Sequence, residues 1–116
     1  MLEQGMPIQG LAVGRPIRVS GIHKMHWEWP RFEVKLARRW LWPRSVLCEL
    51  VAAEGVQADP LDVVGGKLPA DWRHHAPLIF RVLADVTPLA HGSFGHKGTL
   101  KWRLRVDRWV EVTQLK

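Results

Sequence analysis

The run that decides the fold lies near the end of the chain, where residues 100–112 read Leu-Lys-Trp-Arg-Leu-Arg-Val-Asp-Arg-Trp-Val-Glu-Val. Up to Val106 apolar and charged residues alternate strictly, which predicts a half-buried β-strand with one apolar and one basic face. After Asp107 the alternation fails, because Arg108 falls on the apolar parity and Trp109 on the basic one. One extra residue in a strand re-aims every side chain that follows it, so we predict a β-bulge near this point.

Four further runs carry the patterning of β-strands. They mix β-branched or aromatic residues with polar ones and are separated by segments rich in glycine, proline or acidic residues. Gly21 lies inside the first of them, which indicates a bulge or a tightly coiled strand. The predicted strands, in chain order, cover residues 16–24, 31–40, 45–53, 78–86 and 100–112.

The segments between these runs predict loops and one short helix. Residues 1–15 and 88–98 contain several glycines and indicate an irregular lead-in and a long loop. Residues 54–66 form a polar, acidic connection, and residues 68–75 predict a short helix with Pro69 in its first turn. Because no helical periodicity extends beyond about two turns, we predict an all-β domain.

The length and composition are those of one globular domain over residues 1–116. Hydrophobic residues make up 47% of the chain and charged residues 24%, so we expect a packed core rather than a disordered chain. The single cysteine, Cys48, lies in an apolar run and is predicted to be a small buried side chain. No run approaches the roughly 18–20 apolar residues of a membrane span. We therefore expect a soluble, cytoplasmic protein without a membrane partner.

Two features of the composition are unusual. The net charge is +6 and the chain has seven tryptophans but no tyrosine, and the pI is about 10.3. Residues 45–72 hold one base and five acids, so the rest of the chain carries a net charge of +10. Such an uneven distribution predicts one strongly positive surface, which would attract nucleic acid, anionic lipid or acidic proteins.

The predicted order of elements resembles the OB (oligonucleotide/oligosaccharide-binding) fold over roughly residues 16–115. The likeness consists of five strands, a helix between the third and fourth, Gly21 in the first strand, and the glycine-containing turn at residues 95–101. It implies a five-stranded barrel that binds single-stranded nucleic acid on its second and third strands. The counterparts of that face and of the loops that flank it, after the first and fourth strands, would be residues 23–30, 35–44 and 91–97. A β-sandwich is the alternative fold.

Aromatic and basic residues interleave along the chain, as they do where single strands bind. Cations follow the phosphates, and aromatic faces stack on bases at roughly 1–3 kcal/mol per stack with little sequence preference. The residues that we predict to bind nucleic acid are Lys24, Trp27, Lys35, Arg38, Arg39, Trp40, Trp42, Arg44, Lys97, Arg103, Arg105 and Trp109.

Tryptophans are equally suited to a hydrophobic core, so we weigh core packing against an exposed binding role for each of them. Trp102 lies on the apolar parity of its strand and is predicted to be core. Trp27 and Trp29 continue the inward parity of the first strand, so core packing and exposure both stay open. Trp40 and Trp42 flank a turn with arginines and a proline, and exposure there would require a partner to explain it.

Enzymatic signatures in the sequence are weak. Six histidines are present, but they lack the Cys pairs or His-Glu-x-x-His spacing typical of metal sites, so we expect neither metal nor cofactor. Residues 92–95 read Gly-Ser-Phe-Gly, which is not a Gly-x-Ser-x-Gly nucleophile elbow. We predict a non-enzymatic protein.

The leading hypothesis is a single-stranded DNA- or RNA-binding protein that uses a basic, tryptophan-containing face. The alternative is a protein-interaction module or assembly subunit, including a homo-oligomer, in which exposed Trp and Arg act as anchors. A third interpretation is a small-molecule pocket inside the barrel. Dependence of binding on salt separates the first two, because an apolar interface weakens little at high ionic strength.

Overall fold

The computed structural model describes residues 11–26, 28–36, 44–68, 70 and 76–115, apart from the side chains of residues 36, 44 and 45. Its strands are β1 (Ile17–Met25), β2 (Arg31–Leu36), β3 (Arg44–Ala52), β4 (Leu78–Phe94) and β5 (Leu100–Gln114). A short helix, α1 (Pro60–Val64), lies between β3 and β4, and a 3-10 turn (His96–Gly98) connects β4 to β5.

The strands form one closed barrel in the order β1–β2–β3–β5–β4, with β4 returning to β1. Every neighbouring pair is antiparallel except β3 and β5, which run parallel. The predicted all-β, five-stranded barrel with a short helix between its third and fourth strands is confirmed, and the β-sandwich alternative is wrong. This architecture is consistent with an OB-like fold.

Gly21 is required by a close approach between β1 and β2. A Cβ atom at this position would clash with the carbonyl oxygen of Glu33. The ladders of β1 with β2 and β4 pass through Gly21 without a register break, pairing it with Val34 and Val82. The predicted bulge is therefore absent from these two ladders, and tight packing of the coiled β1 against β2 explains the glycine.

The barrel interior is filled by the apolar side chains at alternate positions of each strand, as the sequence pattern predicts. The largest fully buried side chains include Phe32, Phe80, Leu104 and Val106. Cys48 is also buried, as predicted, and burial raises the pKa of its thiol to about 12. A thiol that stays protonated at neutral pH is unreactive, so Cys48 serves as a packing residue.

The predicted bulge in β5 is present. Asp85 pairs with Arg108 and Val86 with Val106, which leaves Asp107 without a partner in the ladder. A second register shift follows nearby, and Trp109 packs against the core. The failure of alternation in the sequence therefore marks a real change in which residues face inward.

β4 extends well beyond its predicted end, because residues 88–94 continue to pair with β5. The Pro88 carbonyl accepts a hydrogen bond from the Gly14 N–H at 2.8 Å. In a β-strand the N–H and the carbonyl of one residue point to the same side. The Pro88 carbonyl points toward Gly14 and away from β5, so the N–H that proline lacks would not have bonded to β5. The predicted long loop is thus wrong over residues 88–94.

α1 lies inside the segment predicted to be an irregular acidic connection. Asp59 caps it by accepting a hydrogen bond from the Asp62 N–H at 2.9 Å, Pro60 opens its first turn, and Gly65 ends it with a φ of 70°. The helix predicted over residues 68–75 falls mostly outside the described residues. Within the part of the chain that the structure describes, no helix has the length and apolar character that crossing a bilayer requires.

Candidate nucleic-acid interface

The β1–β2 loop and the β4–β5 turn approach each other beside β2 and β3. The ring centroids of Trp29 in the loop and His96 in the turn are 6.5 Å apart. Residues of both segments line a depression of about 140 Å³, with Arg31 at the start of β2 and Glu49 and Leu50 of β3. We call this depression the cleft.

The loop is held in shape by His26. Its Nδ1 accepts hydrogen bonds from the backbone N–H groups of Glu28 and Trp29, each at 3.1 Å. A nitrogen that accepts two hydrogen bonds carries no proton. The side chain thus acts as a turn-forming acceptor that positions Trp29 next to the cleft.

Trp29 is half-buried and is covered on one face by Arg31. The guanidinium carbon lies 4.0 Å from the ring centroid, and Nη1 donates to the Trp29 carbonyl oxygen at 3.0 Å. This geometry is a cation–π contact. For Trp29 the sequence left both core packing and exposure open, and Arg31 was not among the predicted binding residues. A Trp-x-Arg spacing across a proline is the local signal that could have found this pair.

Two of the predicted binding cations are already paired with carboxylates. Lys24 Nζ lies 2.8 Å from Glu33 Oε2. Arg105 Nε donates to Asp107 at 2.7 Å, and the Thr87 hydroxyl donates to the same carboxylate at 2.6 Å. Arg105 thereby stabilises the β5 bulge, and neither cation brings an unneutralised positive charge to the surface.

Arg103 is paired too, but at the border of the cleft. It faces Glu49 across the parallel β3–β5 ladder and donates to its carboxylate. Its guanidinium carbon also lies 4.5 Å from the centroid of Phe94. Because Glu49 lines the cleft, this ion pair places one cation and one anion at its border.

Lys35 and Lys97 are the predicted cations that remain exposed, and no described carboxylate lies within ion-pair distance of either. Lys35 is on β2. Lys97 is in the β4–β5 turn with a φ of 54°, a conformation uncommon for residues other than glycine. Lys97 therefore lies next to His96, which lines the cleft, whereas Lys35 lies toward the end of β2 that is opposite Arg31.

Trp109 and Trp102 both pack against the core. The Trp109 indole N–H donates to the Gln57 carbonyl at 2.9 Å, which ties the segment before α1 to β5. Trp102 packs as predicted, and its ring centroid lies 4.7 Å from that of His91. Trp109 stays a predicted binding residue, but its indole N–H already has a structural partner.

Several predicted binding residues cannot be placed. Arg44 contributes its backbone to β3, and its side chain lies outside the described part of the chain. The remaining predicted positions, which likewise lie outside the described residues, are Trp27, Arg38, Arg39, Trp40 and Trp42.

His23 is a buried polar residue of the barrel interior, and it was not among the predicted binding residues. It is only 7% exposed, and its ring lies 6.2 Å from that of Phe32. Burial lowers the pKa of His23 to about 4, although the nearby charge of Asp59 acts to raise it. His23 is therefore neutral at physiological pH, and it lines both the cleft and a second cavity of about 280 Å³.

Within the described ranges, no three His, Cys, Asp or Glu side chains converge as a metal site would require. No protein-family model, curated protein or solved structure matches this chain.

Proposed function

We propose that this chain is a non-enzymatic member of the OB-fold superfamily that binds single-stranded DNA or RNA. The observation that supports it best is the position of the cleft, between the β1–β2 loop and the β4–β5 turn and against β2 and β3. OB folds bind oligonucleotides with that face and those two loops. The net charge of +6 favours a polyanionic ligand.

The chemistry of the cleft suits unpaired bases on a charged backbone. Trp29 and His96 offer rings next to each other, and stacking on a base needs no particular sequence. Lys97, next to His96 in the turn, and Lys35, farther along β2, supply positive charge for phosphates. Affinity would come from these cations, and preference for single strands from the rings, since bases in a duplex are already stacked.

The test is titration of the intrinsic tryptophan fluorescence with a mixed single-stranded oligonucleotide at low and then moderate salt. We expect saturable quenching that reverses as salt is added. Replacing Lys35 and Lys97 together by Ala should flatten the dependence of log K on log salt. Arg81→Ala is the matched control, because Arg81 is an exposed cation on β4, away from the cleft. Absence of quenching by the folded protein at low salt contradicts the proposal.

A protein-interaction module is the second candidate, and the β4–β5 hairpin favours it. Beyond Val86, the described ladders pair β4 with β5 alone, so part of the hairpin presents a strand edge. Leu89 on that segment is 38% exposed. Strand edges pair readily with another chain, including a second copy of the same one. Association that persists at high salt, without response to oligonucleotide, would favour this function.

A further inference from the structure

The second cavity, which we call the inner cavity, lies between the β1–β2 loop, β3 and the start of α1. Its volume is about 280 Å³, close to the lower end of the roughly 300–1,000 Å³ typical of small-ligand pockets. Met25, Pro30 and Leu50 give it apolar surface, and His23, His26 and Asp59 are polar groups on its lining. It shares His23, Pro30 and Leu50 with the cleft, so the two spaces adjoin.

A buried polar side chain on the lining of both spaces, His23, lacks a hydrogen-bond partner for one of its nitrogens. Within the described part of the chain, two buried side-chain polar atoms have no hydrogen-bond partner, His23 Nδ1 and Trp29 Nε1. Other half-buried or buried polar side chains, such as Trp109 and Thr87, do have partners. Native proteins leave few buried polar atoms unpaired. Because His23 lines both spaces, a molecule bound there would supply the missing hydrogen bond of its imidazole.

Asp59 adds an acceptor to the inner cavity. Its Oδ1 accepts the capping hydrogen bond from the Asp62 N–H, and a carboxylate can accept several hydrogen bonds at once. It also acts electrostatically on His23. The cavity therefore offers an anionic acceptor, a neutral imidazole and apolar walls in one small space.

We propose that the inner cavity takes one unpaired nucleobase, which enters from the cleft and is recognised by its Watson–Crick edge. That edge carries N–H donors next to acceptors, which match the Asp59 carboxylate and the His23 imidazole. The apolar walls cover the faces of the ring. This inference rests on the proposed function, and a free nucleoside would satisfy the same chemistry.

The experiment compares three probes by fluorescence titration: a single-stranded oligonucleotide, an abasic strand of the same length, and free nucleosides. His23→Phe keeps an aromatic ring but removes its nitrogens, and Ala58→Trp fills the cavity from its exposed rim. We expect each variant to bind the oligonucleotide about tenfold more weakly than the parent, with unchanged binding to the abasic strand. Methylation of the Watson–Crick nitrogens of the bases should reproduce this loss.

The outcomes separate the inner cavity from the cleft. If the parent protein binds the oligonucleotide and both folded variants bind it equally well, the cavity proposal is wrong and the proposed function stands. If no strand binds but nucleosides saturate the parent and not Ala58→Trp, the cavity takes a free nucleoside and the proposed function fails. If neither strands nor nucleosides bind, both proposals fail. Circular dichroism of each variant verifies that it is folded.

Discussion

The guanidinium of Arg31 lies over the Trp29 ring at 4.0 Å and donates to the Trp29 carbonyl, so that a cation and an aromatic side chain form one unit beside the cleft. The pair lies two residues apart across Pro30, which starts the turn into β2. A guanidinium stacked in this way can still contact a phosphate with its outer edge. This arrangement leads to the first prediction.

Trp29→Ala should weaken oligonucleotide binding by about 1–3 kcal/mol, the usual value of one base–aromatic stack. Trp29→Phe is the matched variant, because it retains a ring for both the base and Arg31, and it should recover most of the affinity. Fluorescence titration of the remaining tryptophans measures both. Equal binding by the Ala and Phe variants would show that Trp29 does not stack on a base.

Glu49→Gln should strengthen binding and steepen its salt dependence. The substitution removes the carboxylate that neutralises Arg103, so the guanidinium becomes available to a phosphate. One added phosphate contact changes the slope of log K against log salt by about 0.7 for single strands. Glu111→Gln is the control, because it adds the same charge at an exposed position of β5 that does not line the cleft. Identical slopes for the two variants would exclude a role for Arg103.

The free energy of unfolding should fall as the pH is lowered from about 6.5 towards 4. His23 has a folded-state pKa of about 4 and an unfolded value near 6.5, so only the unfolded chain takes up a proton in this window. The difference corresponds to a loss of roughly 3 kcal/mol, complete once the pH is below the folded pKa. Chemical denaturation at a series of pH values measures it.

His23→Phe provides the comparison for this pH series, because it removes the titrating group and should flatten the curve between pH 6.5 and 4. Loss of the Asp85 carboxylate contributes only at lower pH, since hydrogen bonding from Arg18 lowers the pKa of Asp85. If the free energy of unfolding falls in parallel with pH in the parent protein and in His23→Phe, His23 does not cause the pH dependence.

Gly21→Ala should destabilise the barrel by at least about 2 kcal/mol, because the new Cβ meets the Glu33 backbone carbonyl, which cannot rotate away. Gly92→Ala is the control, since the nearest atom to its Cβ would be in the Phe94 side chain at 3.4 Å, an ordinary contact. We expect that change to stay within about 1 kcal/mol. Similar denaturation midpoints for the two variants would contradict the close approach of β1 and β2.

The fold was predictable where the signal was local. Alternation in β1 and β5 identified the inward residues, and the break at Asp107 located the bulge. Pro88 and the glycines near it were taken for the start of a loop. The sequence does not indicate that β4 pairs there with β5 alone, an arrangement in which a proline is tolerated. The position of α1 was not predicted, because five residues are too few for helical periodicity, although Asp59, Pro60 and Gly65 are its start and stop signals.

The candidate site was harder to predict because its contacts are long-range. Glu49 and Arg103 are 54 positions apart, so the clustering of basic residues overestimated the free charge on β5. His23 was identifiable as inward-facing from its parity, but the cavity beside it forms only when the start of α1 packs near the β1–β2 loop. No pattern within either segment contains that information.

The parallel pairing of β3 with β5 governs how the barrel assembles. Residues 48–52 of β3 can pair with β5 only after residues 102–106 have been synthesised. α1 and the whole of β4 lie between the two segments in the chain. During synthesis the first three strands can only form an open, curved sheet with an exposed apolar interior, and the last strand completes it. Bringing β5 to β3 closes a long loop before any bond between these two strands can form, which is entropically costly. Folding should therefore take milliseconds to seconds rather than microseconds. Until then, an unsealed β3 edge is the part of the nascent chain that most needs protection from aggregation.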